Sequence, residues 1–477
     1  MFKMEIKKIK ENIFEIQKTP GMNVPVRVYV SEKMLDSLNK DKCLSQGMNA
    51  THLPGIQKYF VMLPDTHQGY GFPIGGVAAF DMENGCISPG AVGYDQNCGV
   101  RLLTTNLDKG EVYSNIKDLL NEIFANVPCG VGSESKLKLS DEEMDNVLNK
   151  GIKWCIENSY ATEYDFEHCE ENGYMKTADA SKVSPKAKAR GRKQLGTLGA
   201  GNHFLEVQYV EKIFDKDTAK AFGINHEGQV TLMIHCGSRG LGHQVCSDYL
   251  RRIEKEFPEL VSKLPEKELA YAPSTSVTAK DYLSAMSSAA NFAWANRQII
   301  QHNCIKAFKK IFPDSELKLV YDVAHNIIKI EEHEVNGETK KLYVHRKGAT
   351  RAFPAGRNEL PEAYRSIGQP VILPGSMGTS SYVLVGSQAS LDLTFGSTAH
   401  GAGRVMSRHE ALRKFKGENV KEELAKHNII IKSASIKGIS EEAPDVYKDI
   451  DEVVKVSHDL GIGKLVAKVK PIGVIKG

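Results

Sequence analysis

The sequence lacks the patterns that mark secreted and membrane proteins. Its nine cysteines are scattered with no CxxC pair, which fits reduced thiols better than a disulfide framework. No apolar run approaches the roughly 18 residues that a membrane helix needs. The amino terminus, MFKMEIKKIK, is too charged for a signal peptide. These absences predict a soluble cytoplasmic protein without membrane association.

A large excess of charge of either sign is also missing. Lys and Arg total 62 against 59 Asp and Glu, a net charge of +3, so any affinity for nucleic acid must come from local patches. The sequence shows no internal repeat, heptad run or low-complexity linker. Although 477 residues could form two or three ordinary domains, the missing linkers predict one compact α+β domain over residues 1–477, with a central pocket lined by strand ends.

A stretch rich in glycine at residues 64–103 carries the first candidate site. Two short apolar runs there are interrupted by Gly, Pro, Asp, His and Cys, as is usual where strands end in functional loops. Asp95 and Cys98 lie three residues apart in the tight loop YDQNCG, so a carboxylate and a thiolate can face one point. This pair suits a metal softer than magnesium. A turn-forming aspartate and an inert buried thiol are the alternative interpretation.

Three histidines sit at the ends of apolar runs beside small residues: His203, His235 and His325. Each alone is more typical of a core or loop histidine than of a metal ligand. Together with Asp95 and Cys98, however, they suit two ions bridged by a thiolate. Ligand softness alone favours zinc or cobalt over manganese, and the spacing does not show that the five side chains meet.

A different chemistry is indicated around His400. In STAHGAGR this histidine is followed by Gly401 and Gly403, whose backbone N–H groups can approach a phosphate closely, with Arg404 beside them. An imidazole in such a loop permits a covalent phosphohistidine intermediate. A structural turn explains the same residues equally well. Residues 374–377 form a second loop of this kind.

A basic segment, KVSPKAKARGRK, occupies residues 182–193. On its own such a run is typical of a solvated surface loop. Because it leads into the loop that carries His203, it would place a basic face beside the candidate site. Arg239, in an SRG turn, suits phosphate binding but equally a salt bridge at the rim of the site.

Hydrophobic periodicity predicts the elements around these loops. Ser140 and Glu143 fit a helix capping box. The predicted helices are residues 32–38, 116–125, 141–158, 244–257 and 280–312, with one more ending near residue 415. The predicted strands lie within residues 12–30 and 231–235, at 317–325 and 343–347, and in a tail ending at Lys476.

Eight motifs follow one another along the chain: DTHQGYGFPIGG, GYDQNCGVR, GNHFLEV, HCGSRG, DVAHN, HRKGATRAFPAG, PGSMGTSSY and HGAGR. With these motifs the chain resembles the RtcB family of RNA-splicing ligases over nearly its whole length. Gln96 stands where the family usually has an apolar residue, and the ligand positions beside it are intact.

The resemblance implies a compact mixed α/β domain with a central metal and nucleotide pocket. It also implies GTP-dependent joining of an RNA 3'-phosphate or 2',3'-cyclic phosphate to an RNA 5'-hydroxyl, assisted by two Mn²⁺ ions. Asp95, Cys98 and His203 would hold one ion. Cys98, His235 and His325 would hold the second, with Cys98 as the bridge.

By the same resemblance His400 would attack the α-phosphate of GTP and become guanylylated. Asp65 and His67 are expected either to assist at the RNA end or to shape their loop. Contacts to the nucleotide are expected from Asn202, His203, Phe204, Leu205, Glu206, His325, Asn326, Pro374, Gly375, Ser376, Met377, Ser381, His400, Gly401, Ala402, Gly403 and Lys476. Contacts to RNA phosphates are expected from Arg190, Arg192, Arg239 and Arg404.

Two other functions remain open from the sequence. A metal-dependent phosphodiesterase would need no nucleotide, and the loops around His400 and Lys476 argue against it. An RNA-binding scaffold would leave the set of five ligands idle. RNA is the expected partner in the ligase and scaffold hypotheses, whether as tRNA halves, a spliced message or damaged RNA. For the ligase, archease is a candidate activator and a monomer is expected.

Overall fold

Two large, mainly antiparallel sheets and the helices around them make up the computed structural model, which describes residues 5–477. In chain order the strands are β1 (Ile6–Lys10), β2 (Ile13–Ile16), β3 (Val26–Tyr29), β4 (Phe60–Tyr70), β5 (Phe72–Asp81), β6 (Cys86–Ile87), β7 (Gly99–Asp108), β8 (Phe204–Ile213), β9 (Gln229–Cys236), β10 (Ala272–Pro273), β11 (Leu317–Ala324), β12 (Asn326–Val335), β13 (Glu338–Lys347), β14 (Ala349–Arg351), β15 (Pro370–Leu373), β16 (Ser381–Val385), β17 (Ser397–Ala399), β18 (Ile430–Ser433) and β19 (Lys464–Lys476).

The α-helices, again in chain order, are α1 (Glu32–Leu38), α2 (Cys43–Ala50), α3 (Lys109–Ser114), α4 (Ile116–Asn126), α5 (Asp141–Lys150), α6 (Ile152–Glu157), α7 (Glu163–Glu167), α8 (Pro185–Arg192), α9 (Lys216–Ala221), α10 (Arg239–Glu256), α11 (Pro258–Val261), α12 (Val277–Ile311), α13 (Glu362–Arg365), α14 (Gln388–Thr394), α15 (Arg408–Lys414), α16 (Gly417–Lys426), α17 (Ile436–Glu441) and α18 (Ile450–Asp459). Short 3₁₀ helices occupy Pro89–Ala91, Glu170–Gly173, Ala180–Lys182, Lys267–Leu269 and Pro444–Val446. Within residues 5–477 no helix combines the length and apolar character needed to cross a membrane.

The first sheet has seven strands in the order β1-β2-β3-β4-β5-β13-β12. The second has the order β11-β7-β9-β8-β19-β16-β15, and β18 adds a parallel eighth strand against β19. Two small sheets, β6 with β10 and β14 with β17, complete the set. This mixed architecture confirms the predicted fold class.

The second sheet has a fully buried centre. All eight residues of β9 are buried, which explains its continuous apolar run. The long helix α12 packs against this strand and is buried along most of its length. Its many alanines and serines are small enough to permit a close approach.

Several helices match the predicted spans, two differ for local reasons, and one lies where no helix was predicted. Gly151, at φ +55°, splits the predicted helix 141–158 into α5 and α6. The basic segment is not a surface loop, because Ser184 caps α8 by accepting from the Ala187 backbone N–H, and Pro185 occupies its first turn. The helix expected from residue 244 begins at Arg239, within the predicted turn.

The two large sheets are joined at the candidate site. Strand β11 of the second sheet ends at Ala324, and β12 of the first sheet begins at Asn326. His325 is therefore the single residue between them. The candidate residues of both sheets consequently meet at one seam.

A buried ionic cluster lies close to this seam. The Asp322 carboxylate accepts from Arg101 Nε at 2.7 Å and from Arg297 Nη2 at 2.7 Å, and all three side chains are fully buried. Such a cluster is stable only while both charges remain paired.

Removing the carboxylate should therefore destabilise the protein strongly. Asp322→Ala leaves two buried guanidinium groups without their counter-charge, and we expect the free energy of unfolding to fall by roughly 3–5 kcal/mol. Chemical denaturation measures the change. Asp314→Ala, at an exposed aspartate, is the control and should alter stability by less than about 0.5 kcal/mol. Equal stability of the two variants would contradict this account of the cluster.

Candidate metal centre and nucleotide pocket

The register of the second sheet gathers the predicted ligands at one of its edges. Val100 of β7 and Phe204 of β8 both pair with His235 of β9, while Gly99 of β7 pairs with Ala324 of β11. The other strand-end candidates are adjacent to these paired residues in the chain. Cys98 directly precedes Gly99, His203 directly precedes Phe204, and His325 directly follows Ala324. Side chains separated by more than 200 residues in sequence are thus neighbours in space.

Cys98 lies at the centre of this group. Its Sγ is 3.6 Å from His203 Nε2 and 3.3 Å from His235 Nε2. His203 Nε2 is in turn 2.7 Å from Asp95 Oδ2. The ligand atoms of Asp95, Cys98 and His203 all lie within 4.8 Å of one another. The His325 ring completes the group, with its centroid 5.6 Å from that of His235.

Hydrogen bonds on the outer side of two rings turn Nε2 toward the group. His203 Nδ1 lies 3.1 Å from the Leu198 carbonyl oxygen, and His325 Nδ1 lies 2.9 Å from Thr350 Oγ1. A bonded Nδ1–H leaves the Nε2 lone pair free for a cation. His325 Nε2 and His235 Nδ1 are buried without a hydrogen-bond partner in the described chain. An unpaired buried nitrogen calls for an explanation, and a bound ion supplies one for His325.

The local electrostatics suit a divalent cation. Burial lowers the pKa of His235 and of His325 well below the usual range, which keeps both rings in the neutral form that binds metals. Burial opposes ionisation of Asp95, but His203 outweighs it and the pKa of the carboxyl falls. For His203 the balance is the opposite, because Cys236 and Asp95 overcome burial and raise its pKa. A cation would replace the proton that His203 and Asp95 share.

The donor set itself fits transition metals. One carboxylate, one sulfur and three imidazoles are softer than the all-oxygen sets preferred by magnesium and calcium. Burial raises the pKa of the Cys98 thiol, so a bound cation would be needed to hold it as a thiolate near neutral pH.

His400 lies next to this group and is held by a buried carboxylate. Asp65 Oδ2 lies 2.5 Å from His400 Nδ1 and accepts from the His400 backbone N–H at 2.8 Å. The His400 ring centroid is 5.3 Å from that of His325. Because Nδ1 is engaged by Asp65, Nε2 is the ring nitrogen left to react.

Asp65 owes this position to an irregularity in its strand. The pairing of β4 with β5 shifts register between Met62 and His67, and Asp65 lies in that interval. The carboxyl is fully buried, which opposes ionisation, yet its interactions with His400 lower its pKa. The sequence suggested a role at the RNA end or in the loop, whereas the contact that Asp65 makes is with His400.

His67 contacts the backbone of Asp65. Its Nδ1 is 2.9 Å from the Asp65 carbonyl oxygen, and burial lowers its pKa to about 4. The ring contributes to the wall of the main cavity. His67 is therefore a neutral imidazole that faces the place where a substrate would bind.

The main cavity has a volume of about 1050 Å³ and adjoins His400. Many of the predicted nucleotide contacts line it: Asn202, Phe204, Pro374, Gly375, Ser376, Met377, His400, Gly401, Ala402, Gly403 and Lys476. His325 and Asn326 line a smaller neighbouring cavity. The predicted contacts that line neither cavity are His203, Leu205, Glu206 and Ser381. Ser381 acts behind the wall, where its Oγ accepts from the Gly375 backbone N–H at 3.1 Å.

Glu206 lies on β8 beside the terminal strand that carries Lys476. Burial raises the pKa of its carboxyl to about 8. Gln208 Nε2 donates to one carboxyl oxygen at 2.7 Å. The other oxygen has no partner among residues 5–477. This oxygen is therefore free to form a hydrogen bond with a ligand.

An acidic residue that the sequence analysis missed organises the cations of the cavity. Glu442 accepts from Arg404 Nη1 at 3.0 Å and from Arg408 Nε at 3.4 Å, and its other oxygen is 3.6 Å from Lys476 Nζ. Lys448 lines the same cavity. Neither Glu442 nor Lys448 lies in a recognisable motif, so no local signal pointed to them.

The four predicted RNA-binding arginines are distributed around the site. Arg239 Nη1 is 3.4 Å from His203 Nδ1, and Arg404 is paired with Glu442. Arg190 donates to Gln244 Oε1 at 3.0 Å, while Arg192 bonds to the exposed Asp141. Arg239 and Arg404 are thus close to the chemistry, and Arg190 and Arg192 lie on helix α8 farther out.

Comparison with known proteins gives one consistent result. A family model described as tRNA-splicing ligase RtcB matches residues 46–477. Curated proteins named tRNA-splicing ligase RtcB are similar along their whole length. The protein from Thermococcus kodakarensis is 53% identical over 477 residues, covering 99% of each chain. Those from Pyrobaculum aerophilum and Methanococcus maripaludis are 53% and 51% identical and cover 100% of each chain.

The ligand geometry predicts a sulfur-bound metal. We expect Co²⁺ added to the purified protein to give the near-ultraviolet absorption of a thiolate–cobalt bond, because Cys98 Sγ lies between two imidazoles. Cys98→Ser should lose this band. Cys129→Ser removes a partly exposed cysteine elsewhere and should retain it. An unchanged band in Cys98→Ser would show that this sulfur is not a ligand.

Proposed function

The chain belongs to the tRNA-splicing ligase RtcB family, and on that basis we propose that it is a GTP- and Mn²⁺-dependent RNA ligase. It would join an RNA 3'-phosphate or 2',3'-cyclic phosphate end to an RNA 5'-hydroxyl end. The observation that carries the proposal is the contact of His400 with Asp65, on the wall of a large cavity that also borders the metal ligand His235.

In the first step His400 would act as the nucleophile. Its Nε2 would attack the α-phosphorus of GTP, forming an N–P bond while the bond to the departing pyrophosphate breaks. Asp65 supports this step because its carboxylate accepts the Nδ1 proton and stabilises the cationic ring in the product. The same protonated ring is later a good leaving group.

The nucleotide would be held in the main cavity. Phe204 offers an aromatic surface, and Lys476 Nζ lies 5.5 Å from its ring centroid. The carboxyl of Glu206, one oxygen of which is unpaired, would hydrogen-bond to the guanine. Lys476 and the loops at residues 374–377 and 401–403 would supply contacts to the ribose and phosphates.

Two Mn²⁺ ions would be held around Cys98. Asp95, Cys98 and His203 would hold the first ion, and Cys98, His235 and His325 the second. Bound there, divalent cations would neutralise the phosphate oxygens and the pyrophosphate as it leaves. The choice of manganese rests on the family resemblance, since the ligands alone also suit zinc or cobalt.

The later steps would transfer the guanylate to RNA. An oxygen of the RNA 3'-phosphate would attack the phosphorus on His400, releasing the imidazole and leaving an RNA 3'-end capped by GMP through a pyrophosphate link. The RNA 5'-hydroxyl would then attack the 3'-phosphorus and displace GMP. A cyclic phosphate end would first be opened by hydrolysis. Neutral His67, in the wall of the main cavity, would exchange a proton with the RNA end.

The RNA itself would be bound mainly through phosphates. Arg239 and Arg404 lie beside the site, and Arg190 and Arg192 extend the positive surface along α8. Because the relatives are named as tRNA-splicing ligases, tRNA halves are the substrate we propose first. A monomer acting in the cytoplasm, with archease as a candidate activator, completes the proposal.

Retention of radioactive guanylate tests the proposal. With Mn²⁺ and α-labelled GTP, the denatured wild-type protein should keep the label, and His400→Ala should not. His409→Ala changes an exposed histidine nine residues away and is the matched control, which should label normally. A metal-loaded, folded wild-type protein that never takes up label would instead favour a phosphodiesterase or an RNA-binding scaffold.

Asp65 provides a second, quantitative test. Asp65→Asn preserves the size of the side chain but removes its charge, so the imidazole loses the group that orients and stabilises it. By analogy with the carboxylate of hydrolase triads, we expect guanylylation to slow by about 10³–10⁴-fold. Rapid-quench labelling measures this rate. A rate within about twofold of the wild type would exclude the orienting role.

A further inference from the structure

A second cavity opens beside the main one and shares part of its wall. It has a volume of about 300 Å³ and is lined by Cys98 and His325 of the metal group. Asn202 and His400 line both cavities. The reactive side of His400 can thus be approached from two directions, and only one of them belongs to the nucleotide pocket described above.

Two tyrosines line this second cavity. Tyr70 is 47% exposed, which is unusual for a large aromatic residue within a strand that is otherwise mostly buried. Its ring centroid is 5.4 Å from that of Tyr94, and Tyr94 stacks on His243 at 5.3 Å. The Tyr70 ring therefore meets the Tyr94 ring edge to face, at an interplanar angle of 60°, while Tyr94 stacks on His243. Much of the Tyr70 ring stays open to solvent and to the cavity.

The backbone holds both tyrosines in fixed positions. Tyr70 pairs with Phe72 across a tight reversal at Gly71, whose φ is +72°. Buried Lys347 donates to the Tyr70 carbonyl oxygen and, at 3.0 Å, to the Gly90 carbonyl oxygen. One ammonium group thus ties the Tyr70 hairpin to the loop leading to Tyr94. A preorganised aromatic surface of this kind loses little entropy when a ligand stacks on it.

We propose that the second cavity is the subsite for the terminal nucleotide of an RNA end, with its base stacked on Tyr70, which Tyr94 supports edge to face, and its reacting group directed to His400. The inference rests on the proposed function. A guanylate in the main cavity would leave the second cavity as a neighbouring opening through which an RNA end can reach His400.

Stacking also suits the task of joining ends of different sequence. Every base has an aromatic face, so a tyrosine platform binds unpaired nucleotides with little sequence preference. Near the tyrosines the cavity is lined by apolar Ile74 and by Asn326. The Asn326 amide is already engaged, because it donates to the Asp95 carbonyl oxygen and accepts from the Gly348 backbone N–H, so little remains for reading a particular base. We therefore expect tolerance of all four bases at this position.

The first experiment measures binding without catalysis. RNA carrying 2-aminopurine as its terminal base, at the 3'-end in one substrate and at the 5'-end in another, is titrated with the wild-type protein. Stacking on a tyrosine should quench the fluorescence for at least one end, and the end that responds identifies the occupant. Tyr70→Ala and Tyr94→Ala should lose the quenching. Absence of quenching at both ends in an RNA-bound wild-type protein would overturn the proposal.

The second experiment measures joining. Tyr70→Ala or Tyr94→Ala should raise the KM for RNA about ten- to hundredfold, and Tyr→Phe at either position should restore it because the ring remains. With RNA that ends in an abasic nucleotide, the wild type and the Tyr→Ala variants should have the same KM, because no base is present to stack. Tyr113→Ala, at another exposed tyrosine, is the control and should leave KM unchanged. An unchanged KM in both variants would contradict the subsite.

Labelling of His400 by GTP, measured in the same preparations, separates the two hypotheses. A wild-type protein that takes up label, but whose tyrosine variants join RNA with normal KM, would refute the subsite alone. A wild-type protein that takes up no label, yet quenches terminal 2-aminopurine, would refute the guanylylation proposal and leave the RNA subsite in place.

Discussion

The candidate metal centre depends on one buried guanidinium group. Arg297, on the long helix α12, pairs with Asp322 and also donates from Nη1 to the carbonyl oxygens of Asn97 and Cys236, each at 2.8 Å. Asn97 directly precedes Cys98 in the chain, and Cys236 directly follows His235. The ion pair thus connects the core helix directly to the backbone that carries two of the proposed metal ligands. A charge buried this deeply is tolerable only with such complete pairing.

The seam between the two sheets explains why metal and nucleotide chemistry adjoin. Cys98 and His235 come from the second sheet, Asp65 comes from β4 of the first, and His325 is the residue at which the chain crosses between them. No single sheet contains the whole site. The site also carries a cost, because buried nitrogen and oxygen atoms on His325 and Glu206 are left unpaired within the described residues. Groups that would stabilise the fold by pairing are instead kept open for ligands.

The sequence predicted those parts of the structure that local patterns encode. The strand-end positions of the candidate ligands, the capping box at Ser140 and the terminal strand ending at Lys476 all follow from periodicity and residue type. No helix was predicted in the basic segment, because its charge hides a regular helix start at Ser184. The split at Gly151 was missed because a single glycine is often tolerated within a helix.

The contacts between distant elements could not be predicted in this way. The approach of Asp65 to His400 spans 335 positions and depends on a register shift within β4. Glu442 pairs with Arg404 and Lys476 only through tertiary packing. The aromatic contacts among Tyr70, Tyr94 and His243 likewise join residues from separate segments. Hydrophobic periodicity describes one helix or strand at a time, so it does not predict contacts between distant elements.

The central claim is that the side chains around Cys98 hold two cations beside a histidine that takes up guanylate. A crystal structure of the protein grown with Mn²⁺ and GTP, with anomalous scattering data collected for manganese, tests it most directly. The account predicts two anomalous peaks flanking Cys98 Sγ and continuous density from His400 Nε2 to a phosphorus atom. Peaks remote from that sulfur, or a nucleotide that leaves His400 unmodified and out of reach, would contradict it.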